Sequence, residues 1–142
     1  MEVSKVTRII IATHGKLAQE LANAAEMICG RQEELITISF MPSDGIEDLT
    51  SRLYKALDGL EDEAIIFTDV FGGSPFNAAS VVSLKTQGLY HVTGVNLPML
   101  LEVLTTREGH TAEELVEICI KAGKDGVIDT RGLFSRGNER CR

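Results

Sequence analysis

No apolar run in this sequence approaches the ~18 residues that a membrane-spanning helix needs, so no such span is predicted. The opening Met1-Glu2-Val3-Ser4-Lys5 leads into only a few apolar positions, too few for a signal-peptide core. Cysteine is scarce. Cys29, Cys119 and Cys141 stand far apart with no C-x-x-C spacing, which argues against a structural zinc site or a disulfide framework and points to a reducing cytoplasm. Cys29 and Cys119 read as small hydrophobes on helices. A surplus of positive charge is missing as well: fourteen basic and twenty-one acidic side chains leave a net charge of −7. Phosphate backbones attract positive surfaces, so the expected partners are proteins or small molecules rather than nucleic acid. There is no internal repeat and no low-complexity segment.

What is present is the material of one domain. A chain of 142 residues that is 44% apolar can bury a real core. The domain is expected over residues 1–134, and residues 135–142 form a polar, Arg-rich tail expected to be mobile. Arg131, Arg136, Arg140 and Arg142 read as solvated.

Strands and helices alternate. The first strand is expected over Val6–Thr13, and its unbroken isoleucines suit a parallel strand covered on both faces. A helix from Lys16 to Cys29 follows, with Leu17, Leu21, Ala24 and Ile28 on its inner face and Gly30 as its stop. Leu35–Phe40 is the second strand. Asp44 is expected to cap a helix reaching Asp58, with Glu47 near its positive end and Ile46, Leu49, Leu53 and Leu57 inward. Ala64–Asp69 is the third strand. Ser74 reads as the cap and Pro75 as the first residue of a helix to Thr86, with Gly88 beyond it. The fourth strand is Leu89–Val95, followed by a short helix over Leu97–Thr106. Thr111-Ala112-Glu113-Glu114 is a capping box that opens a helix to Ala122. Gly123 and Gly126 bracket a turn, and Val127-Ile128-Asp129 reads as a short last strand.

That alternation predicts an α/β fold with an open, mostly parallel sheet of order 2-1-3-4 and helices on both faces. The chain then reverses direction between strands one and three. Ligands bind at such a break, at the carboxyl ends of the strands. His14 follows strand one and Asp69 follows strand three, so the two converge there. Imidazole is the side chain whose ordinary pKa lies near neutrality. In its neutral form one nitrogen has a lone pair for attack, and the other carries a hydrogen that a carboxylate can hold. His14 is therefore the candidate nucleophile and Asp69 the group that orients its ring. The helices starting after Gly15 and at Ser74 bring amides and positive dipole ends to the crevice. Gly72 and Gly73 allow close approach of the backbone, and the Ser74 hydroxyl can donate. Phosphoryl transfer asks a protein mainly for such positioning and charge stabilisation.

Other chemistries fit less well. A receiver-type phospho-aspartate at Asp69 needs further acids after strand one to hold Mg²⁺, and Thr13-His14 stands there instead. A Ser74-His14-Asp69 hydrolase needs G-x-S-x-G, but Phe76 occupies the last glycine position. An anion-binding module without turnover stays open on these residues alone. His91, inside strand four, and His110, in a loop, read as structural or solvated.

Three pieces resemble the IIA component of the mannose, fructose, sorbose and N-acetylgalactosamine class of the bacterial phosphoenolpyruvate-dependent sugar phosphotransferase system. They are Ile9-Ile10-Ile11-Ala12-Thr13-His14-Gly15 with Leu17-Ala18, Phe67 through Asn77, and Thr93 through Leu100, and the likeness spans about residues 6 to 130. The resemblance implies that His14 takes a phosphoryl group from phosphorylated HPr and passes it to a IIB protein. Asp69 would orient the ring, with Gly15, Gly72, Gly73 and Ser74 supporting the phosphate. Asn96, Leu97, Pro98 and Met99 would contribute to partner docking. It also implies an antiparallel fifth strand, exchanged in a homodimer, which would be Val127–Asp129. No metal and no organic cofactor is expected, nor any direct membrane insertion. Thr13 departs from the glycine that many relatives have there. A free-standing IIA protein, without a IIB domain, is the expectation.

Overall fold

Isoleucines at consecutive positions of one strand need cover on both sides, and the fold supplies it. The computed structural model describes residues 6–140, with side chains through residue 135. Its elements are β1 (Arg8–His14), α1 (Leu17–Cys29), β2 (Leu35–Phe40), α2 (Ile46–Ala56), β3 (Ala64–Thr68), α3 (Ser74–Lys85), β4 (Leu89–Thr93), α4 (Leu97–Thr106), α5 (Ala112–Asp125) and α6 (Thr130–Arg140). The four strands form one parallel sheet ordered β2-β1-β3-β4. Ile9 and Ile11 pack with residues of α1, α4 and α5, while Ile10 and Ala12 pack with α2 and α3. Full burial of each isoleucine contributes about 2 kcal/mol relative to exposure. Those contacts fix β1, and with it the residue at its carboxyl end.

Helix α1 turns a different face inward from the one its large side chains predict. Ala18, Ala22 and Ala25 are buried, whereas Leu17 and Ile28 are exposed. Small residues let the helix lie close to the sheet. Ile46 is also exposed at the start of α2, while Leu49 and Leu53 are buried as expected.

Several boundaries move for identifiable reasons. Gly45, not Asp44, caps α2. The Asp44 carboxylate instead accepts the Met41 amide at 2.8 Å and pairs with Arg52 at 3.1 Å. Gly73 is the cap of α3, and Ser74 lies inside the helix without a side-chain capping bond. Strand β4 stops at Thr93 because the Gly94 and Val95 amides both donate to the Thr68 carbonyl. Gly123 does not break α5. It is buried within the helix, where a Cβ would lie 2.8 Å from Met99 Cε. The Thr111–Glu114 capping box is formed as expected.

The carboxyl-terminal part differs most. Among the described residues Val127–Asp129 joins no ladder, so the expected fifth strand is not formed there. Residues 135–140 of the expected tail end helix α6, and residues 141 and 142 lie outside the described residues.

Candidate functional site

The ladder pairs Ala12 with Thr68, so the residues that follow on β1 and β3 emerge at the same sheet edge. His14 ends β1, and Asp69 is the first residue past β3. One carboxylate oxygen, Asp69 Oδ2, accepts both from the His14 backbone amide at 3.0 Å and from ring Nδ1 at 2.9 Å. The other, Oδ1, accepts the Val70 amide at 3.1 Å. An ionised carboxylate can only accept, so Nδ1 carries a hydrogen, and in the neutral ring the lone pair is on Nε2. The ring stands edge-on to Phe40 with centroids 5.9 Å apart. The His14 side chain is 48% exposed and that of Asp69 10% exposed. Burial pushes the Asp69 carboxyl up. The bond from the His14 ring, the His14 amide and the charge of the ring together outweigh this and hold it below the usual carboxylate range.

The turn after Asp69 is shaped around that ring. Gly72 has φ +83°, in the left-handed region that favours glycine. Gly73 has an ordinary φ of −75° and is needed for space: a Cβ there would lie 2.8 Å from His14 Cε1 and 3.5 Å from Nε2. The first amides of α3 have no intrahelical partners and begin beside this turn. Helix α1 offers less than expected. The Gly15 amide donates to the Phe40 carbonyl at 2.8 Å, and the Ala18 amide donates to Thr13 Oγ1 at 2.7 Å. Thr13 is fully buried, and its hydroxyl takes up an amide at the start of α1. In the sequence Thr13 stands out as a departure from glycine. A Ser or Thr a few residues ahead of a helix was the available signal.

The loop after β4 is tied to the same rim through the Gly94 and Val95 bonds to Thr68. Asn96 caps α4, accepting the Met99 amide at 3.0 Å and donating to the Gly123 carbonyl at 3.1 Å. Met99 is buried, Leu97 half-buried and Pro98 exposed. Of these four, Leu97 and Pro98 present surface, and Asn96 and Met99 hold the loop in place.

His91 reads as structural, and its setting is specific. It lies within hydrogen-bonding distance of Thr68 Oγ1 (2.8 Å) and Ser80 Oγ (3.3 Å), and burial pushes its pKa down. Among the described residues no group of three or more His, Cys, Asp and Glu side chains converges as a metal site would. None of their helices is long and apolar enough to cross a membrane.

Comparison with known proteins places the chain. The family model described as "PTS system fructose IIA component" matches residues 8–120. The chain is 38% identical over 122 residues to the mannose-specific EIIAB component of Escherichia coli K12, covering 84% of this chain but 38% of that protein's length. It is 36% identical over 110 residues to the fructose-specific EIIA component of Bacillus subtilis 168, covering 76% of this chain and 75% of the relative. Among solved structures, a phosphotransferase system EIIA from Streptococcus agalactiae superposes with a TM-score of 0.85 at 28% identity, over 89% of this chain and 98% of that one. Matched by this model over most of its length, the chain belongs to the family of phosphotransferase-system IIA components of the mannose, fructose and sorbose class.

Proposed function

We propose that this protein is a phosphocarrier of a sugar phosphotransferase system, working in the cytoplasm. His14 Nε2 attacks the phosphoryl group of phosphorylated HPr. The bond from phosphorus to HPr breaks as the Nε2–P bond forms. In the second step an acceptor group on a IIB protein attacks that phosphorus, and Nε2 leaves with its lone pair restored. The observation that carries the reading is the bond from Nδ1 to Asp69 at 2.9 Å, which leaves Nε2 as the nucleophilic nitrogen. Once Nε2 carries phosphorus the ring is cationic, and the carboxylate is already beside it.

Gly72, Gly73 and the amides opening α3 support the phosphoryl oxygens, with the Ser74 hydroxyl as a further donor. Gly15 contributes through its backbone shape, φ +57°, because its amide is engaged. Partner proteins dock on the rim where Leu97 and Pro98 present surface, with Asn96 and Met99 behind them. The protein works as a homodimer. Two features support this reading: β4 is an edge strand, and a groove of about 480 Å³ runs beside it, lined by β4, α5 and Val127. Val127 is 80% exposed.

The test is incubation with enzyme I, HPr and labelled phosphoenolpyruvate. Acid-labile, base-stable label on the wild type, absent from His14→Ala, is the expected result. Label retained by His14→Ala overturns the assignment of His14. Saturable phosphate binding with no label on the wild type shows a binding module instead.

A further inference from the structure

Thr68 is fully buried and immediately precedes Asp69. It is held at two points. Its carbonyl accepts the Gly94 and Val95 amides, and its hydroxyl joins a polar cluster beneath α3. Thr68 Oγ1 lies 2.9 Å from Thr93 Oγ1 and 2.8 Å from His91 Nε2. The other ring nitrogen, Nδ1, lies 3.3 Å from the Ser80 hydroxyl on α3. The His91 ring is thus held at both nitrogens, by a hydroxyl on β3 and a hydroxyl on α3. The downward push of burial on the His91 pKa agrees with a neutral ring.

The same ring touches the other side of the site. His91 lies 5.2 Å from Phe76, centroid to centroid, and Phe76 lies 4.7 Å from Phe71. Phe71 sits in the turn that carries Gly72 and Gly73. His91 thus meets both supports of the His14 ring: the strand end that delivers Asp69 and the turn whose Gly73 lies against it.

We infer that His91 is a positioning residue for the His14–Asp69 pair, acting through Thr68 on one side and through Phe76 and Phe71 on the other. Its part in transfer rests on the phosphocarrier reading. Its effect on the geometry of His14 does not.

Two measurements on the full chain test this. The first is ¹⁵N NMR of labelled histidine at alkaline pH, which reports the tautomer of each ring without any phosphotransfer. Wild type should show His14 as the Nδ1–H form. In His91→Leu the His14 nitrogens should move toward a mixture of tautomers. His91→Gln, whose amide can still hydrogen-bond to Thr68 as donor or acceptor, should restore the wild-type signature. Thr68→Val, nearly isosteric and lacking the hydroxyl, should reproduce the loss if His91→Leu does not fold. The second measurement is the rate of labelling from phosphorylated HPr. It should fall about tenfold in His91→Leu or Thr68→Val and stay within about twofold in His91→Gln. The inference is overturned if folded His91→Leu, or folded Thr68→Val, keeps the wild-type His14 signature. Failure of wild type to label while these NMR effects appear would count against the phosphocarrier reading alone.

Discussion

Gly73 lies against the ring of His14 so closely that one added methyl group would sit 2.8 Å from Cε1. Its backbone is in an extended region open to any residue, with φ −75° and ψ 172°. Alanine there meets the ring and, at 3.3 Å, a methyl of the exposed Val70 side chain, which can move aside. Gly73→Ala should therefore slow phosphorylation of His14 by about tenfold, through a small displacement of the ring, while the melting temperature stays nearly unchanged. Single-turnover labelling and a thermal melt of the same sample check this. A large drop in melting temperature would mean that the glycine serves the fold instead.

Asp69→Asn retains the shape of the side chain and removes its charge. The amide can still accept from Nδ1, but it can also turn its NH₂ toward the ring and favour the wrong tautomer. Loss of the carboxylate also removes the countercharge for a phosphorylated imidazole. Transfer should slow by on the order of a hundredfold with the circular dichroism spectrum unchanged, and a wild-type rate would remove Asp69 from the chemistry.

Asn96 provides both a cap for α4 and a bond to Gly123 on α5. Replacement by alanine should cost about 1–2 kcal/mol of stability, the usual range for a lost cap of this type. Urea denaturation measures it. Labelling of His14 by phosphorylated HPr should persist in this variant at temperatures where it is folded.

His91 makes stability depend on pH in a definite direction. Burial lowers its pKa in the folded chain, so on acidification the unfolded chain binds this proton first. Its contribution is complete above the ordinary imidazole value of about 6.5 and falls away as pH drops toward the lowered folded value. The urea midpoint of wild type should fall more between pH 7.5 and 5.5 than that of His91→Gln, which lacks the titrating ring. Equal shifts in the two proteins would assign the pH dependence to other groups.

Much of this molecule is legible in the residue order. The isoleucine run of β1 and the alternation of elements lead to the 2-1-3-4 sheet, and the sheet order alone brings His14 and Asp69 to one edge. What the sequence conceals has physical causes. The inner face of α1 is built of Ala18, Ala22 and Ala25, because close packing on the sheet favoured small residues over large apolar ones. Gly123 looks like a helix stop, yet its missing side chain makes room for Met99. Val127–Asp129 has the composition of a strand but joins no ladder among the described residues. Thr13, Thr68 and Thr93 look like ordinary strand residues until their hydroxyl partners are seen.

Asp69 Oδ2 grips the main chain and the imidazole of His14 together. The imidazole cannot turn over without letting go of the oxygen that also anchors its own strand end. Every copy of the protein therefore offers visitors the same atom at the same angle. Two proteins of unrelated shape, arriving at different times, would find one fixed address and need not reshape it.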